Sequence, residues 1–238
     1  MPKTKFIIGV VIAFIVIIIL AEFSSHLTQP VGSASSDTMS SMDSITSLAA
    51  SSANLASSLL AGSPPTLGSA NASVAIIEFG DYQCPTCGAW YRSQEKLLIQ
   101  NLVNTGKAKL VWRDFDYYGP DSISASEAAY AAGDQGKFWQ FHDLLFQNQQ
   151  TPNGGWADRQ NMQSFARQLG LNMTLFNQDF NSGNYDALIN SNHNLGVQAG
   201  VSETPTFYLI GPNGKTITIA GNQPESVFEQ AIASLTGG

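Results

Sequence analysis

Two cysteines occur in the 238 residues, Cys84 and Cys87, and only Pro85 and Thr86 separate them, in the run EFGDYQCPTCGAWY. At this spacing two thiols can meet across one helical turn. As a static staple the pair would do little, because so short a loop restricts the unfolded chain less than a long-range bridge. As half of a zinc site it lacks partners. Structural zinc takes four ligands, and the histidines are His26, His142 and His193, with no ligand spacing among them. A redox role uses every feature of the run. Cys84 is expected at a helix start, where free N–H groups and the helix dipole lower a thiol pKa. Pro85 suits the first helical position, where its missing N–H has no partner to lose. Cys87, one turn inside and less exposed, is placed to resolve a mixed disulfide. This chemistry requires no bound cofactor and no metal.

The elements around the pair follow from hydropathy patterning. SVAIIEF is a short, nearly continuous apolar run rich in β-branched residues, as in a strand buried on both faces. The turn GDYQ leads into CPTCGAWYRSQEKLLIQNLVNTG, a helical pattern ending at Gly106, and KAKLVWRDFDY reads as the next strand. Strand, helix and strand make a βαβ unit with a parallel pair. Residues 121–200 read as several helices, through SISASEAAYAAGDQ, KFWQFHDLLFQNQ, RQNMQSFARQLG and YDALINSNHNLGVQAG. PTFYLIG and KTITIAG, joined by PNG, form a hairpin, and PESVFEQAIASL is a closing helix. The order is βαβ, a helical block, then ββα, without internal repeats. A Cys-x-x-Cys that follows a buried strand and opens the helix of a βαβ unit is a strong redox signal.

The rest of the chain bounds where such chemistry takes place. Hydrophobic residues are 43% and charged ones 12%, which supports a packed core; the net charge of −7 excludes a nucleic-acid binder with a basic stripe. Lys3 and Lys5 precede an uncharged apolar run over 6–21, about 24 Å of helix at ~1.5 Å per residue. Residues 1–23 are therefore read as a membrane anchor rather than a cleaved signal, since Glu22 and Phe23 spoil the nearest cleavage site. No Lys or Arg follows Lys5 until Arg92, so the N-terminus is expected in the cytoplasm and the remainder outside it. Residues 24–65, rich in Ser and Ala, read as a flexible tether closed by SPP. Ile45, Leu48, Ser52, Leu55 and Leu59 recur at helical spacing within it, too few for a firm amphipathic assignment. The globular domain is then 66–238, with the helical insertion at about 121–200.

LGSANASVAIIEFGDYQCPTCGAWY resembles the active-site segment of the DsbA-like thiol:disulfide oxidoreductases of the thioredoxin superfamily. GKFWQFHDLLFQNQ, FARQLGLNMTLFNQDFNSGNY and GVSETPTFYLIG extend the likeness across residues 66–236. The resemblance implies a thioredoxin-like α/β fold with an inserted helical block. It implies that Pro205 is the cis-proline facing the cysteines, and that Thr204 before it binds an extended substrate segment as an added strand. Pro85 and Thr86 join them at the substrate-binding surface. It also implies a buried acid beneath the cysteines at Glu78, whose raised pKa lets it shuttle the Cys87 proton. The residues alone allow a strand-end carboxylate facing solvent or paired with a lysine. Thr86 departs from the best-known strong oxidants, which carry His there. The expected function is disulfide formation in exported cysteine-containing proteins, with a membrane protein reoxidising the pair. A reductase or isomerase using the same site, and a redox-inert peptide-binding module, are the alternatives.

Overall fold

The computed structural model describes residues 53–237. The anchor assigned to 1–23 and the tether up to residue 52 lie outside these residues. Among the described residues no helix is long and apolar enough to cross a membrane.

Five strands form one mixed sheet in the order β1-β3-β2-β4-β5. They are β1 (Thr66–Leu67), β2 (Val74–Gly80), β3 (Ala108–Asp114), β4 (Thr206–Ile210) and β5 (Thr216–Ala220). β2 and β3 are parallel, as the βαβ reading requires, and β4 runs antiparallel to both β2 and β5. The short edge strand β1, antiparallel to β3, carries too few residues to show a pattern in the sequence.

All seven residues of β2 are buried, because helices cover both sides of the sheet. Successive side chains point to opposite faces. Val74 and Ile76 pack with Leu98, Leu102 and Val103 of the first long helix and with Phe228 and Ile232 of the last. Ala75, Ile77 and Phe79 pack on the other side with Ala56 and Leu59. Glu78 shares the face of Val74 and Ile76, and it enters the sheet beside Trp112 and Phe207.

The helix after β2, α2, begins as Pro85–Trp90, widens to π-helical geometry over Tyr91–Glu95, and tightens over Lys96–Leu98. It widens again over Ile99–Val103. The helical block comprises α3 (Pro120–Gly133), α4 (Phe138–Gln147), α5 (Arg159–Gln168), α6 (Met173–Phe180) and α7 (Asp186–Ala199). α3 is buried nearly all round, which is why it is built of Ala and Ser rather than of an amphipathic stripe. The block's core contains Ala128, Phe141, Met162 and Phe176, and it is continuous with Tyr82, Cys84, Cys87 and Trp112. α8 (Glu225–Thr236) closes the chain.

The expected tether does not run to residue 65. Residues 53–60 are helical, here α1, and Leu59 is fully buried against the sheet. The weak Leu55–Leu59 periodicity was the signal. What holds α1 in place is Arg113 of β3. Its guanidinium donates to the Leu59 carbonyl at 3.2 and 2.9 Å, to the Ala61 carbonyl, and to Asn192 Oδ1 at 2.8 Å. The last carbonyls of a helix have no partner within it, and this fork supplies one. Leu59→Ala is expected to destabilise the domain by about 2–4 kcal/mol in urea unfolding. A loss under about 0.5 kcal/mol would show that α1 adds nothing to the core.

Candidate active site

Three loops meet at one end of the sheet because of its topology. β2 and β3 are parallel, so the residues after Gly80 and after Asp114 leave from the same edge. β4 is antiparallel to β2, with Thr206 opposite Phe79, so the residues before β4 arrive there too. The cysteines, Tyr117 and Thr204–Pro205 are thereby neighbours in space, although up to 121 residues separate them in sequence.

Asp81 ties the first two loops together. Its carboxylate accepts from the backbone N–H of Gln83 at 2.7 Å, Tyr117 at 2.9 Å and Tyr118 at 3.2 Å. It is the turn residue the sequence suggested, with a span wider than one turn. Gly80 before it has no space for a side chain, since a Cβ there would run into the Trp112 ring.

Cys84 is the N-cap of α2, with extended backbone, and Pro85 follows at the first helical position. The cysteines are free thiols. Four groups surround the Cys84 sulfur. It donates to the Thr204 carbonyl at 3.3 Å, and the Tyr117 hydroxyl lies 3.7 Å from it. The Cys87 thiol and backbone N–H are also its partners. The Cys87 thiol is the largest influence, and with help from the Thr204 side chain, the Cys87 amide and Tyr117 it outweighs burial. The Cys84 thiol is lowered to about 5. Cys87 moves the other way: burial raises it well above 9.0, and the Cys84 charge adds to that. The two sulfurs thus sit in opposed environments, but Cys84 is covered where greater exposure than Cys87 was expected. Cys84 is only 2% exposed. Pro85 and Thr86 are the exposed residues of the motif, and the sulfur lies under the loop of Tyr117. The Thr204–Pro205 peptide bond is cis and both residues are buried.

Glu78 is fully buried rather than solvent-facing, and neither carboxylate oxygen has a hydrogen-bond partner among the described residues. Burial raises its pKa well above the usual carboxylate range, with Glu95 and Cys84 adding to the shift. Among the described residues no lysine pairs with it. Beside it lies a polar group that sequence reasoning missed. Glu95 Oε1 is 3.3 Å from His142 Nε2, and His142 Nδ1 is 3.2 Å from the Tyr82 hydroxyl. All three residues are buried. Glu95 had a legible signal, since it shares the stripe Tyr91, Leu98 and Leu102 at helical spacing. Tyr117 had none beyond its place just past a strand end. Among the described residues no cluster of His, Cys, Asp and Glu could hold a metal ion.

Residues 61–232 match the family model described as thioredoxin, which is most of the chain. The chain belongs to that family. Relatives within it are named for disulfide bond formation, and the protein is a thiol:disulfide oxidoreductase. It is 27% identical over 151 residues to a probable disulfide bond formation protein D of Bacillus cereus, covering 61% of this chain and 69% of that protein. A thioredoxin-like oxidoreductase from Silicibacter pomeroyi superposes with a TM-score of 0.64 at 26% identity, over 76% of this chain and 98% of the other. Oxidised BdbD from Bacillus subtilis, at 23% identity, shares the fold with a TM-score of 0.64, over 74% and 94% of the two chains.

The thiol shifts have a consequence for stability. A folded-state pKa lowered from 9.0 to about 5 stabilises the reduced protein fully above pH 9, progressively less as pH falls, and not at all below pH 5. The oxidised protein has no thiol to titrate. The stability of the reduced form relative to the oxidised one is therefore expected to fall as pH drops from 9 to 5 and to level off below. Urea unfolding of both forms across that range measures it, and a flat difference would contradict the low Cys84 pKa.

Proposed function

We propose that this oxidoreductase forms disulfides in exported proteins, on the extracytoplasmic side of a membrane, through the Cys84–Pro85–Thr86–Cys87 pair. The observation that carries the reading is the opposed environment of the two sulfurs. One sits at a helix N-terminus among donors, and the other is sealed behind it. Stabilising the Cys84 thiolate stabilises the reduced enzyme, so the oxidised pair readily accepts electrons. A thiol at about 5 lies between the ~7 of thioredoxin and the ~3.5 of DsbA.

In the oxidised enzyme a substrate thiolate attacks Cys84 Sγ. The Cys84–Cys87 bond breaks and its electron pair passes to Cys87 Sγ, which takes up a proton. Glu78 supplies that proton, because burial keeps its carboxyl protonated to higher pH than an ordinary carboxylate. The substrate's second thiolate then attacks its own sulfur in the mixed disulfide, and Cys84 leaves as a thiolate. The substrate departs with one disulfide, and the enzyme holds the two electrons. A membrane protein that accepts electrons must reoxidise it. The extended substrate segment lies along Thr204 and Pro205 as an added strand, with Pro85 and Thr86 forming the exposed side of the site. The N-terminal apolar run, 6–21, supports attachment to the membrane and export of the domain. The redox-inert alternative does not suit two thiols driven in opposite directions.

Two experiments test the reading. The reduction potential in a glutathione buffer is expected between about −270 mV, typical of thioredoxin, and about −120 mV, typical of DsbA. A value at or below the lower figure would reverse the direction of electron flow. Cys87→Ala is expected to accumulate reductant-sensitive adducts with exported cysteine-containing proteins, and Cys84→Ala to abolish them.

Glu78→Gln keeps the shape and removes the proton. It should slow attack of a substrate thiol on the oxidised enzyme by roughly a hundredfold near neutral pH, the lower end of the usual range for general acid catalysis. Acid-quenched time courses of mixed-disulfide formation read this rate. An unchanged rate would remove Glu78 from the mechanism.

A further inference from the structure

Tyr117 has an arrangement that a packing role does not explain. Its side chain is 49% exposed, yet its hydroxyl is 3.7 Å from the buried sulfur of Cys84. It also accepts a hydrogen bond from Thr204 Oγ1 at 3.2 Å. Since the phenol oxygen accepts from Thr204, its own proton is free to point at the sulfur. The loop is not free to drift, because the Tyr117 N–H donates to Asp81 at 2.9 Å and its ring packs on Tyr118 with centroids 4.5 Å apart.

The three groups close a ring of hydrogen bonds. The Cys84 thiol donates to the Thr204 carbonyl, the Thr204 hydroxyl donates to Tyr117, and Tyr117 donates to the Cys84 sulfur. When Cys84 is a thiolate, the first link is lost and the other two remain, both oriented to favour the negative charge. Aligned hydroxyls polarise one another, so the Thr204 donor strengthens the Tyr117 donor. In the oxidised enzyme and in the mixed disulfide Cys84 has no S–H, so the Thr204 carbonyl is free to accept an N–H from a substrate strand.

We propose that Tyr117 is a catalytic residue: its phenol donates a hydrogen bond to Cys84 Sγ as that sulfur leaves the mixed disulfide. As the substrate's second thiolate attacks, the sulfur–sulfur bond breaks and its electron pair collects on Cys84 Sγ. The phenol keeps its proton throughout and stabilises the charge where it forms. Burial holds the Tyr117 pKa well above its ordinary value, so the phenol is a donor across the working pH range. This role rests on Cys84 being the attacked sulfur, as proposed above.

Tyr117→Phe removes the hydroxyl and keeps the ring, the packing on Tyr118 and the backbone bond to Asp81. The Cys84 thiolate can be followed by its ultraviolet absorbance against pH in the reduced protein, and the reduction potential in a glutathione buffer. The variant should titrate about one pKa unit higher than wild type, a tenfold change in the thiolate equilibrium. Because the same charge stabilises the reduced form, its potential should become more negative by about 30 mV, the equivalent of a tenfold change for two electrons. Release of oxidised substrate from a preformed mixed disulfide should slow in step. A folded variant whose thiolate midpoint or potential equals that of wild type overturns the proposal. The wild-type titration keeps the two readings apart. A Cys84 midpoint near 9 in wild type would sink the assignment of the attacked sulfur, whereas a low wild-type midpoint unmoved in Tyr117→Phe would sink only the role of the phenol.

Discussion

The Cys84 sulfur is held between the Thr204 carbonyl at 3.3 Å and the Tyr117 hydroxyl at 3.7 Å, with Cys87 behind it. Each contact comes from a different loop, and each loop is delivered by a different strand. The parallel pairing of β2 with β3 brings Tyr117 to the edge where Cys84 begins its helix. The antiparallel pairing of β4 with β2 brings Thr204 to the same edge. Change either pairing by one residue and every side chain of that strand would turn to the other face. The sheet register is therefore part of the thiol chemistry, and the double-sided burial of β2 is what secures it.

Beneath the sulfurs the protein does the opposite of what it does at Cys84. Glu78 and Cys87 are buried where negative charge is disfavoured; burial is the main cause of each raised pKa, Glu95 and Cys84 add to that of Glu78, and Glu78 adds to that of Cys87. Tyr82 is likewise raised by burial. It stacks on Trp112 with centroids 4.7 Å apart, and Trp112 meets the His142 ring edge-on at 5.0 Å. This aromatic wall excludes water from the inner thiol and leaves the helix start as the place where a thiolate forms readily. Low dielectric acts both ways here. It makes the few donors around Cys84 effective, and it makes a second negative charge on Cys87 or Glu78 costly. The polarity of the pair follows from burial depth as much as from the helix dipole.

How much of this the sequence disclosed depended on whether the signal was local. The apolar run of β2, the Pro after Cys84 and the spacing of the pair are local features, and each led to the right element. The alanine-rich α3 and the hairpin of β4 and β5 were legible for the same reason. The parts that were missed are tertiary. Leu59 is buried because Arg113, 54 residues away, partners the carbonyl behind it. A Ser/Ala-rich composition has no way to announce such a contact. α6 was hidden in a polar segment, where its start is set by the Asn172 side chain accepting from Thr174 and Leu175. Tyr117 is an exposed aromatic in a loop, and only the meeting of two strand ends makes it a neighbour of the thiol. Cys84 was expected to be exposed because it caps a helix, but the loop held by Asp81 covers it.

Helix α1 is connected to the floor of the site. Arg113 binds the Leu59 and Ala61 carbonyls on one side and Asn192 on the other, and Asn192 donates to Asp114 at 2.7 Å. Asp114 also accepts from Trp112 Nε1 at 2.9 Å and from the Tyr130 hydroxyl at 2.6 Å. Trp112 is the ring on which Tyr82 stacks, two residues before Cys84 in the chain. One continuous set of buried hydrogen bonds therefore runs from the end of α1, through β3, α7 and α3, to the aromatic wall under the cysteines. Buried networks of this kind are costly when any member is left unpaired, so they tend to hold one arrangement. α1 covers the sheet face opposite α2, while Pro85 and Thr86 stay exposed at the start of α2. The helix that leads into the domain is thus fastened to the floor of the redox site without covering the motif residues that face solvent.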